Sequence, residues 1–198
     1  MMNEELKTTV IHEIGHYVAF SLINKMFSTG ECVKITIAKI EEKEVIKYHG
    51  LAEAEIDDDT KDHDKNLKLF SQRCAGLIYG CIFQCLYLKV EFESCFGFFN
   101  NGGNDYREYQ SLIPEEFDTA KRRELYDYFS KYYFFYLKSK REEFEVVFNL
   151  NFESLISEDE NGFTIDIKLL KEKLEAFLIE HEEDFKKLII KIEEIITK

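Results

Sequence analysis

The sequence predicts a mainly α fold (α+β) with one small β-hairpin or sheet beside its first long helix. Three observations carry this expectation. A single Pro and nine Gly in 198 residues leave long stretches without a helix breaker. Apolar side chains recur at three- and four-residue intervals over much of the chain, the period of a helix face. Extended patterning is confined to one early region, between Val33 and Ile56. With 18 Phe and 11 Tyr there is ample bulky core for a single domain over 1–198, read as a first part, 1–112, with the hairpin, and a helical remainder, 113–198.

The elements follow in order. A first helix is expected from about Glu4 to Phe27, with Val10, Ile11, Ile14, Val18 and Leu22 on its apolar face and Ser28-Thr29-Gly30 as its stop. Val33 to Ile40 alternates as a half-buried strand, and a second extended piece, Val45 to Ile56, can pair with it across Glu41-Glu42-Lys43-Glu44. Asp57-Asp58-Asp59-Thr60 reads as a loop. A second helix from about Asp64 to Lys89 is the expected core of the fold, with Gly76 and Gly80 as a flat surface for another helix. A loop with Gly97 and Asn100-Asn101-Gly102-Gly103-Asn104 leads to a short helix, Asp105 to Leu112. Pro114 then restarts a helix as a first-turn residue. Further helices are expected over about Glu115 to Lys140, Arg141 to Ile156 and Asp166 to Ile196, with Asn161-Gly162 as a turn before the last.

Charge and cysteine usage narrow the function classes. A net charge of −13 disfavours nucleic acid and anionic membrane surfaces as partners. Five Cys form no C-x-x-C pair, and their odd number does not suit a disulfide framework. Met1 to Lys7 is polar and acidic, unlike a secretory leader, so reduced thiols and a cytoplasmic location are expected. Cys74 to Leu88 carries no charge but falls short of the ~20 apolar residues that span a bilayer, and Gln84 interrupts it. No transmembrane segment is expected.

One motif carries chemistry. His12-Glu13-Ile14-Gly15-His16 reads H-E-x-x-H on the first helix, where positions four apart share a face and two imidazoles reach one ion. That spacing suits a tetrahedral zinc site, with Glu13 beside the first His and within reach of a water on the metal. An open catalytic site needs a third protein ligand. The extension to a third His fails, since Ala19 and Leu22 stand at its positions. Glu91 and Glu93 are open to the role but lack a persuasive setting. Asp105 follows the Gly/Asn-rich loop at a helix start, where an Asp also serves as a cap.

In its order of motifs the chain resembles the zinc peptidase domain of the FtsH-type AAA+ proteases. His12 to His16 stands for that family's H-E-A-G-H helix. Cys32 to Ile37 with His49-Gly50-Leu51 stands for its hairpin, Ser71-Gln72-Arg73-Cys74-Ala75-Gly76 for its core helix, and Gly102-Gly103-Asn104-Asp105-Tyr106 for its ligand loop. The likeness covers about residues 8–112. It implies a zinc metallopeptidase with His12, His16 and Asp105 as ligands, Glu13 as general base and an unfolded or flexible peptide as substrate. Gly76 and Leu77 replace the family's acidic pair, and Val90 to Phe99 reads as an insertion. There is no G-x-x-x-x-G-K-[ST] phosphate loop, so no ATP binding is expected. Two alternatives stay open: a catalytically silent zinc scaffold, and an ImmA/IrrE-type repressor-cleaving peptidase, whose third ligand is a downstream Glu.

Other residues read as structural. His49 suits a partly exposed strand, and His63 among its acidic neighbours a solvated loop. Cys74, Cys81 and Cys85 read as buried apolar thiols. His181, among Glu180, Glu182 and Glu183, reads as surface. Tyr132-Tyr133-Phe134-Phe135-Tyr136 is too continuous for one stripe, so it buries several faces or meets a partner.

Overall fold

Helix α1 (Glu4–Phe27) starts where the Asn3 side chain accepts the Leu6 N–H at 2.7 Å. It ends at Ser28, which takes the left-handed cap conformation at φ 56°. The computed structural model describes residues 2–29, 31–42, 45–54, 67–100 and 102–198. Gly30, Lys43, Glu44, the Asp57–Thr60 cluster, His63 and Asn101 lie outside the described residues.

Strands β1 (Cys32–Glu42) and β2 (Val45–Ala54) form the expected antiparallel hairpin. A register shift between Cys32 and Lys34 alters its faces. The extra residue turns Val33 outward and lets Cys32 point into the core with Ile35 and Ile37. Helix α2 (Leu67–Leu88) is the central element and packs against both α1 and the last helix. Its uncharged run is buried over several faces, with Cys74, Ile78, Tyr79, Ile82 and Phe83 fully enclosed. Among the described residues, no helix is long and apolar enough to cross a membrane.

The 113–198 segment is mostly helical, as expected, but its helices are shorter and it also contributes two strands. After α3 (Gly103–Leu112), Pro114 opens a turn and not a helix, and α4 (Thr119–Asp127) begins at the Asp118 cap, whose side chain accepts the Lys121 N–H. A π-helical turn over Tyr128–Tyr133 joins α4 to α5 (Phe134–Ser139). The wider turn shifts the helical phase within the aromatic run. Tyr133 and Phe134 are buried there, whereas Tyr132 and Phe135 are exposed. A 3-10 turn, Arg141–Phe144, and the short helix α6 (Glu145–Phe148) follow where one longer helix was expected.

Two strands then appear within this segment, β3 (Ile156–Asp159) and β4 (Gly162–Ile165). The sheet runs β2-β1-β4-β3, all antiparallel, so the second half of the chain completes the sheet of the first. Gly162 makes the joint: at φ +140° it adopts a conformation other residues avoid, and an added Cβ would overlap the Ile37 carbonyl of β1. Helix α7 (Ile167–Thr197), capped by Asp166, lays Leu170, Leu174, Phe177, His181, Phe185, Leu188 and Ile192 along one buried stripe.

His181 is therefore not a surface residue. It is 2% exposed, stacked on Phe177 at 5.1 Å and hydrogen-bonded through Nε2 to Tyr79 Oη at 3.1 Å. Tyr79 bonds Tyr133 at 2.6 Å, and the Tyr133 hydroxyl donates to the Asp184 carbonyl. One proton per hydroxyl orders this chain from a neutral His181 Nε2–H through Tyr79 and Tyr133 to the carbonyl. Burial pushes the His181 imidazole down from 6.5 to about 4.

Candidate metal centre

The face of α1 that carries His12, Glu13 and His16 is buried between α2 and β2. Small residues make this close packing feasible. A Cβ added at Gly15 would sit 2.5 Å from the Tyr79 carbonyl, so the backbones of α1 and α2 nearly touch there. Gly80 gives the close-packing surface expected of it, since a Cβ added at Gly15 would also lie 2.9 Å from the Gly80 Cα, and it leaves room for the imidazoles as well. A Cβ at Gly80 would lie 2.5 Å from His16 Nε2 and 2.7 Å from His12 Nε2, so its hydrogen leaves the space the imidazoles occupy.

His12, His16 and Asp105 converge. His12 Nε2 and His16 Nε2 are 3.0 Å apart, and the Asp105 carboxylate stands 2.9 Å from the first and 3.6 Å from the second. All three offer donor atoms within one ion's reach. The other nitrogen of each ring is already committed. His16 Nδ1 lies 2.9 Å from the Gly76 carbonyl, which only accepts, so that nitrogen carries the proton. His12 Nδ1 lies 2.8 Å from Gln84 Oε1 in the same relation. Both Nε2 lone pairs then face each other beside a carboxylate. That arrangement is repulsive unless a cation stands between them, and the donor set fits a divalent metal.

The electrostatics agree. Burial lowers the His16 pKa, but the Asp105 carboxylate and Glu13 outweigh it and raise it to about 9. Burial works against the Asp105 carboxylate too, yet His16 and His12 hold it well below the usual range. Without a metal, a proton on His16 supplies the positive charge that the site favours.

Glu91 and Glu93 do not join the cluster. Both are exposed, and Glu91 pairs with Lys138 at 2.7 Å. Glu13 is 4% exposed and its carboxylate rests against Gly50 of β2, where any Cβ would overlap it. His49, beside Gly50, is exposed and lines the same cleft, about 620 Å³ in volume. The cleft runs between β2, from Tyr48 to Ala52, and the side of α2 and α3 bearing Leu77, Arg73 and Glu108. Among the described strands β2 pairs only with β1, so its outer edge borders the cleft.

Gln84 and Gly50 are the residues whose roles sequence reasoning missed. Gln84 appeared only as an interruption of an apolar run. A lone amide at a buried helix position needs a partner, and that was its signal. Gly inside a strand signals close approach of another group, and here the group is Glu13. Replacing Gln84 with Leu frees the His12 ring to turn and is expected to weaken metal affinity about 10–100-fold with the fold retained. Competition against a calibrated zinc chelator measures it.

The chain was compared with protein-family models, curated proteins and solved structures, and none of them matches.

Proposed function

We propose that this chain is a zinc-dependent metallopeptidase that hydrolyses unfolded or flexible peptides. The observation that carries the reading is the convergence of His12, His16 and Asp105, each ring oriented through its Nδ1, with the Glu13 carboxylate buried alongside. A bound zinc would supply a Lewis acid and make a water at the site acidic enough to lose a proton near neutral pH. Gln84 and the Gly76 carbonyl hold the two imidazoles in the tautomer that leaves both Nε2 atoms free to ligate. Glu13 accepts a proton from the attacking water and returns it to the leaving amine. The outer edge of β2 aligns an extended substrate by backbone hydrogen bonds, which suits a peptide without tertiary structure.

The motif order supports a relative of the FtsH-type peptidase domain. The position of Asp105 favours that reading over the ImmA/IrrE type, which needs a Glu in its place. Five buried free thiols suit a reducing, cytoplasmic setting.

The experiment is hydrolysis of a disordered polypeptide by the zinc-loaded chain, before and after chelation. Turnover that disappears with the chelator and returns with zinc is expected. A zinc-loaded chain that holds metal but cleaves no unfolded substrate would leave the silent scaffold as the better reading.

A further inference from the structure

Two thiols stand beside the His pair. Cys81, on α2, and Cys95, just after the 3-10 turn Phe92–Ser94, are buried and free. Cys81 Sγ lies 3.8 Å from Asp105 Oδ2, and Cys95 Sγ lies 3.2 Å from Gln84 Oε1. Both sulfurs face Gly102 in the loop that delivers Asp105. A Cβ there would overlap Cys81 Sγ and sit 3.1 Å from Cys95 Sγ. The sulfurs are thus neighbours under one glycine, against a ligand and the residue that orients a ligand. A ring nitrogen of His12 and the two sulfurs all lie within 4.8 Å of one another. Tetrahedral coordination with metal–sulfur bonds of about 2.3 Å and metal–nitrogen bonds of about 2.0 Å places donors roughly 3.6–3.8 Å apart. Closing the set around an ion therefore asks for shifts on the order of 1 Å.

We propose that His12, Cys81 and Cys95 form a second metal-ligand set, selective for thiophilic ions, whose filling inactivates the site built on His12, His16 and Asp105. The selectivity follows from the donors: two thiolates and an imidazole favour soft ions, whereas two imidazoles and a carboxylate favour harder ones. As each metal–sulfur bond forms, the thiol gives its proton to solvent and the ion sheds water. Inactivation follows because His12 is shared. An ion on its Nε2 takes the place of the hydrolytic metal; an ion on its Nδ1 displaces Gln84 and turns the ring away. Cys85, one turn beyond Cys81, hydrogen-bonds the Glu91 carbonyl at 3.4 Å and lies outside the set.

The test is a Cd2+ titration of the full chain in a non-thiol reductant, read by sulfur-to-cadmium charge-transfer absorbance. The wild type is expected to show a band that saturates, and His16→Ala and Asp105→Ala to keep it. His12→Ala weakens it, and Cys81→Ser/Cys95→Ser abolishes it while still binding zinc. Cys95→Ser alone, with folding checked by circular dichroism, repeats the comparison if the double variant is unstable. No band in the wild type, or an undiminished band in both thiol variants, overturns the proposal. A band in a chain whose zinc-loaded, cadmium-free form hydrolyses no peptide refutes the peptidase reading and leaves the second ligand set standing.

Discussion

Glu13→Gln is expected to lower turnover of an unfolded peptide by about 10²–10⁴-fold while zinc content stays at the wild-type level. The two outcomes separate because the residue sits beside the ligands and is not one of them. Its carboxylate is buried against Gly50, on the wall of the cleft that His12, His16 and Asp105 also line. Gln has nearly the same volume, so packing against β2 is preserved. It has no basic oxygen able to take that proton at neutral pH. Peptide hydrolysis and elemental analysis on the same preparation measure both quantities. Unchanged turnover would remove Glu13 from the reaction; lost zinc would mean that it also helps to hold the metal.

Stability is expected to fall by on the order of 3 kcal/mol as the pH drops from about 6.5 to about 4, because His181 is buried neutral. Its folded value is depressed to about 4 from 6.5. Between these values the unfolded chain binds a proton that the folded chain refuses, so stability is full above the upper value and lost toward the lower one. Tyr79, Phe144 and Phe177 pack against the ring, Asp184 on α7 partly offsets the effect of burial, and Lys140 adds to it. The His16 pKa is raised to about 9, so its contribution to the metal-free chain is gained as the pH falls from about 9 to about 6.5 and changes little below that. Asp105 and Asp184 are both held below the ordinary carboxylate range, so their contributions are lost at lower pH. Thermal unfolding of metal-free protein across the window should show a fall in Tm of roughly 6–12 °C. In His181→Leu that dependence should flatten. An equally steep profile in the variant would assign the acid sensitivity to other groups.

Local signals made much of this legible. The period of α1 and the alternation of β1 are written in neighbouring residues, and the structure places those elements close to where the spacing does. The β3–β4 hairpin was hidden for a physical reason. Its strands are four residues long and join the sheet only through the pairing of β4 with β1, so no periodicity announces them. His181 was obscured by the acidic residues on either side, although its spacing from Phe177 and Phe185 puts it on the buried stripe. At the candidate site, His12, Glu13 and His16 are visible because one helical turn sets their geometry. Asp105 is 89 residues beyond His16 in the chain, and spacing alone did not separate it from Glu91 and Glu93. Gln84, Gly50 and Gly80 act only through tertiary contact, and one sequence does not reveal which buried amide or glycine will face a ring.

Metal content bears most directly on the account. Wild type and Asp105→Ala, each reconstituted with zinc and freed of excess, are assayed by elemental analysis. About one equivalent is expected in the wild type and loss of most of it in the variant. Wild-type protein that holds no zinc after reconstitution, or a variant that holds it as tightly, would contradict the assignment of His12, His16 and Asp105 as a metal centre.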